Sequence, residues 1–175
     1  MPRNIEIKAR IASVEALLPR AQALAGRAPE LIVQDDSFFS VPHGRLKLRE
    51  FADGSAELIH YHRPDGPEAR ASDYVRVPAV DFDGLSAALE RALGSGGRVR
   101  KRRLLLHVGQ TRVHLDRVEG LGDFLELEVV MREGQPDAEG RAIAEGLMDA
   151  LGLQAAERVP GAYVDLLRRQ QGDTT

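Results

Sequence analysis

The sequence predicts an α+β fold: about eight strands in a mostly antiparallel sheet, with helices between groups of strands. Three observations carry this. Several segments alternate, residue by residue, between apolar and charged side chains, which is the period of a strand with two unlike faces. Short turn signals join such segments directly, so consecutive strands form hairpins. Four other segments place apolar residues on one helical stripe.

The clearest stretch is Arg112–Val130. Arg112, His114 and Asp116, then Phe124, Glu126 and Glu128, share one face, while Val113, Leu115, Leu125, Leu127 and Val129 share the other. Gly120, Gly122 and Asp123 lie between the two runs and read as a turn. The result is a hairpin with one apolar and one densely charged face.

In chain order, Asn4–Ile11 is a strand with Asn4, Glu6, Lys8 and Arg10 opposite Ile5, Ile7, Ala9 and Ile11. Ser13 caps a helix to about Leu24, with Pro19 expected to kink or shorten it. Leu31–Ser40 reads as a strand, and Pro42-His43-Gly44 as a turn. Arg45–Phe51 sets Arg45, Lys47 and Arg49 against Leu46 and Leu48, and Asp53-Gly54 turns it into the strand Glu57–Arg63. Pro64–Ala71 is a polar loop and Ser72–Pro78 a short strand. Asp81–Leu93 is an amphipathic helix stopped by Gly94-Ser95-Gly96-Gly97. Arg98–Val108 is a strand with Lys101 and Arg103 on one face and Arg100 and Arg102 on the other, the latter pair read as solvated. After the hairpin, Pro136-Asp137 opens a helix to about Leu151, and a last helix spans about Ala162–Arg169 before a tail expected to fray.

A chain of 175 residues supports one domain with its own core, and no repeat or second domain is visible. Aromatic content of 5% without tryptophan gives little for base stacking, and a net charge of −3 argues against general polyanion binding, so no nucleic-acid partner is expected. The absence of cysteine excludes disulfides and thiolate metal sites. No long apolar run or signal peptide is seen, so no membrane partner is expected and the cytoplasm is the default.

Alternation alone leaves two arrangements open. In an open sheet the charged faces look at water, the commoner outcome. In a closed barrel they point into a lumen, where each unpaired ion costs roughly several kcal/mol unless water, partners or a ligand satisfy it. The basic residues on these faces suit phosphate oxygens. The carboxylates, without His or Cys clusters, suit a hard cation. The five histidines show no metal-ligand spacing; His60 and His62 read as surface, and His114 as either structural or ligand-contacting.

N-I-E-I-K at 4–8 resembles the E-x-E-x-K signature of the CYTH superfamily, the triphosphate tunnel metalloenzymes. L-K-L-R-E at 46–50 and K-R-R at 101–103 are similar to its basic strands. V-H-L-D at 113–116 and F-L-E-L-E at 124–128 are similar to its acidic closing strands. The order runs through about residues 3–167, and G-L-G-D-F with A-Y-V-D-L-L at 162–167 is most similar to the class IV adenylate cyclase branch. The resemblance implies a closed antiparallel eight-stranded β-barrel with flanking helices, Mg²⁺ or Mn²⁺, a triphosphate-bearing substrate and a homodimer. The substrate would be ATP, thiamine triphosphate or tripolyphosphate. By the same resemblance Glu6, Asp116, Glu126 and Glu128 would hold metal. Lys8, Arg45, Lys47, Arg49, Arg63, Lys101, Arg103 and Arg112 would hold the triphosphate. Glu6, Lys8 and Glu126 would be catalytic. Asn4 stands where the family usually has Glu, and an amide brings no charge, which weakens the case for a second metal. The expected activity is adenylate cyclase, with a triphosphatase, a non-catalytic polyphosphate-binding module and a structural β-protein as the alternatives.

Overall fold

Eight strands close into one antiparallel barrel in the order β1-β5-β4-β3-β2-β6-β7-β8, in a computed structural model that describes residues 3–62 and 68–172. The strands are β1 (Arg3–Arg10), β2 (Glu30–Phe39), β3 (Arg45–Phe51), β4 (Ala56–His62), β5 (Arg70–Ala79), β6 (Ser95–Val108), β7 (Thr111–Val118) and β8 (Gly122–Val130). The helices are α1 (Val14–Ala25), α2 (Phe82–Leu93), α3 (Asp137–Leu151) and α4 (Tyr163–Gly172). Closure comes from β1, which pairs with β5 on one side and β8 on the other. Among the described residues no helix is long and apolar enough to cross a membrane.

The apolar faces point outward, and those of β1, β7 and β8 lie under α1 and α3, while Leu31, Val33, Val75 and Val77 of β2 and β5 stay exposed. Ile5, Ile7 and Ala9 of β1, with Val113, Leu115, Leu125, Leu127 and Val129 of β7 and β8, pack against Val14, Leu17 and Ala21 of α1 and Ala144, Met148 and Leu151 of α3. Each fully buried side chain of this size contributes roughly 1.5–3 kcal/mol relative to exposure. With the hydrophobic surface on the outside of the barrel, period 2 forces the charged residues into the lumen. A second cluster, Phe38, Val99, Val118 and Phe124 with Ala162, Tyr163 and Val164, joins α4 to the barrel. The Phe124 and Tyr163 rings meet edge to face at 5.0 Å.

Most element expectations hold, with four differences. Pro19 lies inside α1, which nevertheless runs on to Ala25 after its Ser13 cap. Only Gly94 of the glycine-rich stop ends α2; Ser95–Gly97 already belong to β6, where the register against Phe38 and Phe39 shifts. A Cβ on Gly96 would lie 2.9 Å from the Phe38 carbonyl carbon, closer than packed atoms tolerate. Gly96→Ala should therefore spread β2 from β6 and cost about 1–3 kcal/mol, read as a lower urea midpoint with unchanged slope. The last helix continues past Arg169 to Gly172, so Gln170–Gly172, expected in a frayed tail, are helical, and residues 173–175 lie outside the described residues. The expected loop at 64–71 lies partly outside them too, and its last two residues, Arg70 and Ala71, start β5.

Candidate active site

The inward faces enclose a cavity of about 300 Å³. That is at the lower end of small-molecule sites, so it suits a compact ligand rather than a polymer. Glu6, Lys8, Lys47, Arg49, Lys101, Arg103, Arg112, Glu126 and Glu128, all expected from sequence, line it together. The register explains the convergence. Lys8 faces Glu126, Glu6 faces Glu128, His114 faces Glu126 and Arg112 faces Glu128 across neighbouring strands. Two carboxylates set directly opposite, as Glu6 and Glu128 are, repel each other, which favours a cation near them.

One wall is basic. Lys47, Arg49 and Lys101 converge on Asp36, with Lys47 Nζ donating at 2.8 Å, Lys101 Nζ at 3.2 Å, and Arg49 through Nε at 2.6 Å and a terminal nitrogen at 2.8 Å. Asp36 is almost fully buried. Burial alone would raise its pKa, but the charges of Arg49, Lys101 and Lys47 outweigh this and hold the carboxyl well below the usual range. The lysines move too. Burial, helped by neighbouring guanidiniums, lowers Lys101 to about 7 and Lys47 to about 8 despite the opposing pull of Asp36.

The other wall is acidic. Glu126 Oε1 accepts from Lys8 at 2.8 Å and Oε2 from Arg103 at 2.7 Å, while Glu128 Oε2 accepts from Arg112 at 2.8 Å. Burial works against ionising Glu126, but Lys8 and its other cationic and hydrogen-bonding neighbours keep it ionised. Ligand atoms of His114, Glu126 and Glu128 lie within 4.8 Å of one another. His114 is 3% exposed, and its Nδ1 is buried with no hydrogen-bond partner. Burial, with the Arg103 charge, lowers its pKa and favours the neutral ring. Carboxylates beside an unpaired imidazole nitrogen form a donor set that fits a divalent cation.

Asp116 and Arg45, also expected from sequence, are not in this lining. Asp116 is fully buried: Arg103 donates to both its oxygens at 2.7 Å, and the Tyr163 hydroxyl donates to Oδ2 at 2.7 Å. It anchors Arg103 and α4, because its position in β7 sets it opposite Arg103. Arg45 does not line the cavity; its side chain turns to Asp165 of α4 at 2.6 Å. Arg63 lies outside the described residues. Asn4 is buried in the lining, and with its amide oriented to match donors with acceptors, its oxygen accepts from Arg112 at 3.0 Å.

Asp36, Tyr163 and the grouping of His114 with Glu126 and Glu128 are what sequence reading misses. The parity of Gln34 and Phe38 with Asp36 was available, but Asp35-Asp36 places one acid on each face and conceals which is inside. Arg98 and Arg100 bind the outward Asp35. Tyr163 enters from a helix, where strand parity says nothing.

Known proteins share this architecture. The family description "CYTH domain" matches residues 2–163. The adenylate cyclase CyaB of Aeromonas hydrophila is 30% identical over 174 residues, spanning 91% of this chain and 86% of that protein. A solved Pyrococcus horikoshii protein superposes with a TM-score of 0.82 at 26% identity, covering 93% of this chain and 98% of its own. A Hippeastrum protein, described as having a dominant triphosphatase activity, shares the fold with a TM-score of 0.60 at 18% identity, covering 87% and 89%.

Proposed function

We propose, on the premise that this chain belongs to the CYTH domain family, that it is a metal-dependent enzyme acting on a triphosphate-bearing substrate inside the barrel. The reaction we assign is that of a class IV adenylate cyclase, ATP to cyclic AMP and diphosphate. One observation supports this most: a basic wall and a carboxylate pair face each other inside one small cavity. The 30% identity to the Aeromonas cyclase supports the same reading.

In this reading Lys47, Arg49, Lys101 and Arg103 neutralise the phosphate oxygens and set the register of the tail. Glu126 and Glu128, with Glu6 facing them, are the residues that would hold a cation. Mg²⁺ or Mn²⁺ bound there would neutralise phosphate oxygens and lower the pKa of an attacking oxygen. Lys8, bonded to Glu126 at 2.8 Å, meets the reacting phosphate. The ribose 3′-hydroxyl attacks the α-phosphorus and gives up its proton to solvent, while the P–O bond between the α- and β-phosphates breaks and diphosphate leaves.

A second reading, inorganic or thiamine triphosphatase, rests on the same tail-binding residues. The compact cavity favours it, because this reading asks the site to hold only the tail. Incubation with ATP, thiamine triphosphate and tripolyphosphate, each with Mg²⁺ or Mn²⁺, separates the two. Cyclic AMP from ATP selects the cyclase, and orthophosphate from tripolyphosphate selects the hydrolase. Tight binding of all three without turnover overturns the enzyme reading and leaves a binding module.

The lysines add a pH dependence. Lys101 near 7 and Lys47 near 8 carry charge below those values and lose it as pH rises. An anion prefers the charged forms, so binding takes up protons. Tripolyphosphate affinity should therefore fall by about tenfold or more between pH 7 and 9, with proton uptake visible by calorimetry in buffers of different ionisation enthalpy. A flat profile would show that neither lysine meets the tail.

A further inference from the structure

We infer that His114 supplies a nitrogen ligand to the cavity's cation, so that this chain prefers Mn²⁺ to Mg²⁺. The inference rests on the metal-dependent reading above and names which ion that site takes. Its basis is the environment of one atom. His114 Nδ1 lies 3.6 Å from Glu126 Oε2 and 3.9 Å from Glu128 Oε1. Both are too long for a hydrogen bond. Two donors each roughly 2.1 Å from a shared ion lie at most roughly 4.2 Å apart, and both separations fall within that span.

Side-chain direction supports the same conclusion. His114 stands directly opposite Glu126 in the β7–β8 ladder, and its neighbours Val113 and Leu115 are locked in the outer core. Its parity therefore holds the ring in the lumen. A purely structural buried histidine would be expected to satisfy its ring nitrogen with a close partner, and this nitrogen has none. Mg²⁺ takes oxygen ligands in a near-ideal octahedron, whereas first-row transition ions, Mn²⁺ the weakest binder among them, accept an imidazole nitrogen more readily. One nitrogen beside two carboxylates shifts the balance toward Mn²⁺, which still accepts an oxygen-rich shell.

The test uses the full chain with Mn²⁺ alone, and with Mn²⁺ plus a methylene-bridged triphosphate that is not cleaved and carries no nitrogen. Pulsed electron paramagnetic resonance should show a ¹⁴N coupling that disappears in His114→Asn. Mn²⁺ affinity should fall about tenfold in that variant, while Mg²⁺ affinity changes by no more than about twofold. If His114→Asn does not fold, ¹⁵N-histidine labelling of the unaltered chain replaces the ¹⁴N signal with a ¹⁵N one. Bound Mn²⁺ without nitrogen coupling, or a coupling that survives in His114→Asn, overturns the inference and leaves the carboxylate metal site standing. A folded barrel that binds no Mn²⁺ in either mixture overturns both.

Discussion

Glu126→Gln should abolish metal-dependent turnover, lowering kcat by about 10³-fold or more. A divalent ion at a phosphoryl centre contributes several kcal/mol of charge stabilisation, and each ~1.4 kcal/mol is tenfold in rate. The substitution removes the charge that would hold the ion yet keeps the shape and one carbonyl acceptor. Lys8 and Arg103 both donate to Glu126, so its loss leaves them less compensated. That raises the positive potential of the lumen, so tripolyphosphate affinity should stay within about tenfold while turnover collapses. Steady-state assays paired with binding by calorimetry check this. Turnover within tenfold of the parent would mean that Glu126 does not hold the ion.

Asp36→Asn should have the largest effect on stability, and its consequence for binding runs the other way. The carboxylate is shared by Lys47, Arg49 and Lys101 in a buried site. Removing one partner of a buried ion set leaves uncompensated charge and costs about 3–5 kcal/mol. For a chain of this size that corresponds to a fall in Tm of roughly 10 °C. A polyphosphate supplies the missing negative charge to the same three cations. Tripolyphosphate should therefore raise Tm more in Asp36→Asn than in the parent at equal concentration. Asp36 is in this view an internal anion that keeps the wall charged and assembled before substrate arrives. A smaller ligand-induced shift in the variant would show instead that Asp36 orients the cations for binding.

Which expected residues share one lining was legible where parity alone decides. Glu6, Lys8, Lys47, Arg49, Lys101 and Arg103 share alternating positions with one another, and all enter one cavity. The partners these side chains bind were not legible, because tertiary neighbours decide them. Asp116 and His114 have the same parity, yet Asp116 meets Arg103 and becomes an anchor, while His114 meets Glu126 and keeps an unpaired nitrogen. Arg45 has the parity of Lys47 but stands at the start of its strand, where α4 offers Asp165. Nothing local in the sequence encodes either partner.

The residues by themselves determine which side chains share a face, because a strand's two-residue period admits no other arrangement. They also determine where the hairpins turn, because Asp53-Gly54 and Gly120-Leu121-Gly122 suit few other conformations. Whether a charged face meets water or a sealed interior is decided only when β1 bonds to both β5 and β8. Closure and the helices packed on the apolar face exclude solvent together, and that exclusion is what turns alternating surface charge into a site with shifted ionisation.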